Sequence, residues 1–261
     1  MANTEGNWEF TKIGTVPKMK NAVFIEGLPG IGNVGKIALD FIVESKNAKK
    51  IYEITSYDLP HSIFIREDNL VELPKLILYY AKIGKQDIIF LAGDVQPVSE
   101  HSCYSFCENL LDLLEKCNVK QIITLGGIGL GKLPKKPTVF ATGNNKKNLK
   151  DMKKRNKDMN INPYGIIGPV VGVTGLLTGL AGKRKIMAVA LLAETFAHPT
   201  YLGMKGARGI LNILNKEYSL KLSMKDLDKE ISDIEYELIL KTKDLTSTAK
   251  GMKDKSLRYI G

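Results

Sequence analysis

The chain has 261 residues, of which 44% are hydrophobic and 25% charged. That is ordinary for a soluble globular protein, and it is enough for one large or two modest domains around a sizeable core. Three cysteines (Cys103, Cys107 and Cys117) fall in one predicted helix; an odd number so placed excludes a disulfide framework and fits a reducing cytoplasm. The net charge of +10 raises the question of nucleic acid, but much of it lies in "KKNLKDMKKRNK" (146–157), which has no aromatic to stack on a base and reads as a solvated basic face.

The polar start "MANTEGNWEFTKIG" has no apolar leader segment. "NAVFIEG" (21–27) then reads as a strand. "VGKIALDFIVES" (34–45) places apolar residues at 34, 37, 38, 41 and 42, which is helical spacing. "KIYEITSYD" (50–58) is strand-like, and 62–84 is a β-rich excursion containing a hairpin. "DIIFLAGD" (87–94) is a buried strand, and 99–117 an amphipathic helix capped by Ser99. "VKQIITLGG" (119–127), "TVFATG" (138–143) and "KIMAVALLAET" (185–195) are further strands, whereas 206–218 and 224–240 are helices.

Between them, "GIIGPVVGVTGLLTGLAG" (165–182) is eighteen residues without a charge. A membrane span needs about 20 residues, and this run contains Pro169 and six glycines. The glycines recur in steps of three and four, which predicts one smooth face of a buried helix. Strand, glycine turn and helix in repetition give an α/β domain with a mainly parallel sheet covered on both faces. We expect one domain over residues 1–240 and a flexible, Lys-rich tail over 241–261.

The stretch "GLPGIGNVGKI" (27–37) bears on chemistry. Gly30, Lys36 and the spacing between them begin a P-loop, but the next position is Ile37, without the hydroxyl that holds Mg²⁺. Gly30-x-Gly32-x-x-Gly35 also matches the dinucleotide fingerprint, with Glu53 or Asp58 near the place of the ribose-binding acid. The plain alternative is a tight strand-to-helix turn with close packing. A second glycine turn is expected at "GGIGLGK" (126–132). Glu194 and His198, with Tyr201 nearby, follow a strand end and offer an acid/base pair, or simply a loop fixed by Pro199. Cys103 and Cys107 share a helix face, but no matching Cys or His pair suggests zinc.

The ordered set "IEGLPGIGNVGKIALDFIVE", "LAGDVQP", "ITLGGIGLGK", "GPVVGVTGLLTGLAG" and "LLAETFAHPTY" resembles archaeal members of the PAC2 family, relatives of proteasome assembly chaperone 2, from about residue 10 to 240. The resemblance implies a three-layer α/β/α fold similar to purine nucleoside phosphorylases, a homo-oligomer (a tetramer first, a trimer second), and neither catalysis, cofactor nor metal. It also gives the ending "LRYIG" a role. Members of this family can end in a hydrophobic–Tyr–any-residue motif that docks between α-subunits of the 20S proteasome. Leu257, Tyr259, Ile260 and the carboxylate of Gly261 would carry that contact, although Tyr259 stands third rather than second from the end. The competing expectation is a nucleotide- or nucleoside-binding enzyme using the glycine turns.

Overall fold

Four long apolar runs become the centre of a sheet because their residues are buried on both faces. They are β2 (Ala22–Glu26), β7 (Gln86–Gly93), β8 (Val119–Leu130) and β11 (Met187–Phe196). In the computed structural model they lie side by side and parallel in the order β7-β2-β8-β11. Such two-sided burial is the mark of a parallel sheet sandwiched between helices. Residues 8–225 and 227–229 are described by the structure.

Less apolar strands flank this centre. On one side β6 (Leu76–Ile83), β3 (Lys49–Thr55) and β1 (Glu9–Lys12) add antiparallel, ending in a charged edge. On the other, β9 (Val139–Gly143) runs antiparallel to β11 and is followed by the short β10 (Met159–Asn160). The nine-stranded order is β1-β3-β6-β7-β2-β8-β11-β9-β10. The strands β4 (Phe64–Ile65) and β5 (Val71–Glu72) form a separate two-stranded hairpin, as expected within 62–84.

Helices cover both faces. α1 (Val34–Ser45) and α5 (Met204–Tyr218) pack together on one, with α3 (Lys146–Arg155) beside α5. α2 (Glu100–Lys116) and α4 (Val173–Lys183) cover the other, where Phe24, Ile89, Leu91 and Ile122 meet Phe106, Leu110 and Leu177. The three-layer α/β/α architecture expected from the sequence is therefore present. Ser99 caps α2 by accepting from the Ser102 amide at 3.0 Å.

Two expectations are corrected. The glycine run 165–182 is not one helix: α4 begins only at Val173, after Gly165 and Gly172 adopt φ of 77° and 80°. Pro169 interrupts helical hydrogen bonding. The segment before α4 folds back over its first turn, so that a Cβ at Gly175 would lie 2.0 Å from the Val170 carbonyl oxygen. Nor is 126–132 a turn at its start. β8 continues to Leu130, held by its pairing with β11 as far as Phe196.

The chain divides into two compact units, with the boundary between Leu222 and Ser223. Of the second, Met224, Lys225 and residues 227–229 are helical, at the start of the helix expected over 224–240. The rest of that helix, and the tail with Leu257, Tyr259, Ile260 and Gly261, lie outside the described residues. No helix among the described residues is long and apolar enough to cross a membrane.

Candidate functional site

Open parallel sheets place their ligand crevices beyond the carboxyl ends of the strands. A cleft of about 790 Å³ lies there, above β2 and β8. Its walls come from the glycine loop after β2, the segment after β7, the glycine-bearing end of β8 and the loop that leads into α4. Gln96 joins two of these walls: its amide donates to the Pro29 carbonyl at 2.7 Å. Ile31, Val98, Tyr104 and Val171 leave an exposed apolar rim. Among the described residues, Glu100 is the one charged residue in the lining of this cleft.

Beneath the cleft stands Glu26, the last residue of β2 and fully buried. Its carboxylate accepts from the Leu28 amide at 2.9 Å and from the Thr174 hydroxyl at 3.3 Å. Burial pushes its pKa up to about 7, because the charged form loses its hydration; the hydrogen bonds from Leu28, Thr174 and Leu125 oppose that rise only in part. Glu26 was not singled out among the candidate residues. An acid within the otherwise apolar "NAVFIEG" was the available signal, since a lone charge in a two-sided buried strand must be neutral or paired.

The expected phosphate chemistry finds little support in this geometry. Lys36 does not face the cleft as a free cation. Its ammonium contacts Asp40 at 2.7 Å and Asp94 at 2.8 Å. Gly32 adopts φ of 62°, and its open side is filled by Thr195; a Cβ there would lie 2.6 Å from the Thr195 hydroxyl oxygen. Gly35 lets α1 press on β8, where a Cβ would lie 2.4 Å from the Leu125 carbonyl oxygen. For a dinucleotide the acid should stand on the strand next to β2. Here β3, which carries Glu53, is separated from β2 by β6 and β7, on the order of 14 Å at the usual strand spacing. Glu53 instead binds Lys75 at 3.1 Å.

The acid/base pair is not assembled either. Glu194 accepts from the Thr138 amide at 2.8 Å, just before neighbouring β9. His198 lies beyond the strand, its Nδ1 3.0 Å from the Thr200 hydroxyl and its ring stacked on Phe196 with centroids 5.6 Å apart. Tyr201 packs edge-on against the same Phe196. The structure thus ends β11 at Phe196 and makes 197–201 a loop whose His198 and Tyr201 cluster on Phe196. The three cysteines are free, and burial raises the pKa of each thiol. No group of three or more metal-ligating side chains occurs among the described residues.

The basic run 146–157 forms α3 and its exit. Arg155 is held by Glu217 at 3.0 Å, and Lys153 donates to the Lys157 carbonyl at 2.6 Å, so part of its charge closes the fold locally.

Comparison with known proteins gives the family. The model of the PAC2 family matches residues 24–239. The chain belongs to the PAC2 family. Among solved structures this PAC2 chain is similar to Pyrococcus furiosus PbaB, an archaeal proteasome activator, with a TM-score of 0.83 and 28% identity, covering 90% of this chain and 98% of that one. It is also similar to Pyrococcus furiosus PbaA, an archaeal homolog of proteasome-assembly chaperone, with a TM-score of 0.75 and 25% identity over 94% of this chain and 95% of that one. An uncharacterized protein of Methanocaldococcus jannaschii is 29% identical over 257 residues, 96% of each chain. The glycine loop of this PAC2 chain is accordingly part of a fold shared across the whole length of these relatives.

Proposed function

We propose that this chain is an ATP-independent, non-enzymatic proteasome-binding chaperone, acting as an assembly factor or activator in the cytoplasm. The observation that carries the reading is the likeness to PbaB over 98% of that chain at 28% identity. The cleft supports the non-nucleotide part of it: among the described residues its lining has no basic side chain, and Lys36 is held by two carboxylates.

Contact with the α-ring of the 20S proteasome is assigned to the tail 241–261, through Leu257, Tyr259, Ile260 and the Gly261 carboxylate, with the domain over 1–240 as its carrier. An apolar end fills a pocket while the carboxylate meets a basic group. A segment of about 20 residues has a root-mean-square reach of roughly 25 Å. A homo-oligomer, tetramer or trimer, presents several tails at once, and binding then gains from effective concentration.

The test is binding of the full chain to purified archaeal 20S proteasome without nucleotide, beside a deletion of 257–261. Binding by the full chain and loss in the deletion, with unchanged fold, supports the proposal. Equal binding by both would remove the tail mechanism, and absence of binding by both would remove the proteasome partner.

A further inference from the structure

At the end of the sheet opposite the cleft, where the parallel strands begin, the loops gather lysines from distant parts of the chain. Lys18 and Lys20 precede β2, while Lys82 lies near the end of β6 and Lys85 in the turn to β7. Lys116 and Lys120 flank the start of β8, where the register with β2 shifts. Lys183 and Lys185 precede β11, and Lys146 and Lys147 follow β9. All of these lysines are exposed.

Hydrogen bonds show that these loops adjoin. Gln86 Nε2 donates to the Asn21 carbonyl at 2.9 Å, the Ala22 amide to the Asn118 carbonyl at 3.1 Å, and Asn144 Nδ2 to the Ile186 carbonyl at 2.9 Å. Together they cross the neighbouring strands from β6 to β9, about 24 Å at the usual strand spacing. Among the described residues, none of these lysines has a carboxylate within ion-pair distance. Two nearby acids are already engaged. Asp87 accepts from the Lys20 amide at 3.0 Å and the Tyr80 hydroxyl at 2.8 Å, and Glu115 holds Arg184 at 3.0 Å.

Local structure accounts for only part of this charge. Lys116 and Lys183 stand in the last turns of α2 and α4, where a cation suits the negative end of the helix. Lys146 and Lys147 do the reverse: they open α3, whose first turn has no acid to offset them. Like charges crowded on one end also repel one another, which costs the free protein stability. An anionic partner relieves that repulsion.

The side chains present restrict what that partner is. The arginine of this end, Arg184, is held by Glu108, Asp112 and Glu115 of α2, so its guanidinium is not free to fork onto a phosphate. The loops 18–21, 84–86, 116–120, 144–147 and 183–187 contain no aromatic residue on which a base could stack. Their exposed large apolar side chain is Met187, at 39%, which is too little to enter a bilayer. What remains is a set of separate ammonium groups spread over a broad face, which suits separate carboxylates. We infer that this end of the sheet is a docking face for an acidic protein surface. Such a face acts mainly on the rate of association and on its dependence on salt.

The experiment is the fluorescence anisotropy of labelled polyglutamate titrated with the full chain, from ~20 mM to ~200 mM salt. A labelled DNA duplex and phosphatidylserine vesicles are the comparison probes. The test variant is Lys20→Glu/Lys120→Glu/Lys147→Glu. The control is Lys132→Glu/Lys135→Glu/Lys136→Glu, with the same change of charge on exposed residues beyond the far end of β8. Wild type should bind polyglutamate at low salt, the test variant should lose ~10-fold or more in affinity, and the control should stay within about twofold. Equal loss in both variants would assign the binding to the charge of the whole chain and overturn the face. Absence of binding by wild type at low salt overturns it too, and tighter binding to the duplex or the vesicles replaces the acidic protein with that partner. If circular dichroism shows the test variant unfolded, glutamine at the same three positions carries the test, with about a threefold loss expected. These readouts use neither the proteasome nor residues 257–261, so they stand or fall apart from tail docking.

Discussion

Glu26→Gln isolates one buried proton. In the folded protein the Glu26 pKa is raised from 4.5 to about 7, because burial disfavours its charge. A group with a raised folded pKa stabilises the fold most fully below its ordinary value, and that contribution is lost as pH rises through the folded value. The window here runs from about pH 4.5 to about pH 7. At ~1.4 kcal/mol for each tenfold change in proton affinity, the full loss is on the order of 3 kcal/mol. Glutamine has nearly the same shape, cannot ionise, and can still accept from the Leu28 amide as Glu26 does at 2.9 Å. Urea unfolding of both proteins at fixed concentration, from pH 4.5 to pH 8, gives the comparison. Their stabilities should lie within about 1 kcal/mol at the acid end and diverge by ~3 kcal/mol in favour of the glutamine variant by pH 8. Curves that run parallel across this range would refute the claim that burial raises the Glu26 pKa.

The glycine loop and its lysine give two further expectations. Gly35→Ala forces a methyl group against the Leu125 carbonyl, 2.4 Å away on a backbone that cannot yield, and should destabilise by ~1–3 kcal/mol in urea unfolding. Gly30→Ala, in the extended loop before α1 where a Cβ meets nothing within 4 Å, should stay within ~0.5 kcal/mol of wild type and so shows what a methyl group costs in this loop without a clash. Lys36→Ala removes ion pairs at 2.7 and 2.8 Å to a half-buried Asp40 and an exposed Asp94, so its cost should be about 1 kcal/mol. Phosphate or ATP should not raise the melting temperature of wild type, and a rise in wild type that vanishes in Lys36→Ala would reinstate the P-loop reading.

Elements with strong periodicity were readable from sequence. α1 begins and ends at the residues its apolar spacing marks, and α2 carries the cap that Ser99 announces. The exposed strand β1 and the two-residue β10 were not foreseen: their residues are charged or too few to show a period, and they form because a neighbouring strand offers an edge. Glycine misled twice for opposite reasons. In 126–132 it read as a turn, whereas the pairing of β8 with β11 keeps 126–130 extended. In 165–182 its spacing read as a helix face, whereas Pro169 and the positive φ of Gly172 delay the helix to Val173. The site was less legible than the fold. The cleft is made by loops that only strand order brings together, and strand order is not written in local pattern.

That order also shows what the glycines of the nucleotide fingerprint pack against in this fold. In a dinucleotide site the second glycine leaves room for pyrophosphate, and the third lets the helix approach its strand. Here Gly35 serves the second of these purposes, against Leu125 of β8. The room at Gly32 is taken by protein: Thr195 of β11 fills its open side, and its carbonyl accepts from the Gly203 amide at 2.7 Å. The loop after β2 is therefore tied to β8, to the end of β11 and to the start of α5. A ligand phosphate would have to displace those contacts, and among the described residues the cleft wall holds no lysine or arginine to compensate. The same spacing of glycines thus answers to close packing of the protein on itself, and a sequence pattern that records only where a Cβ is forbidden cannot distinguish the two.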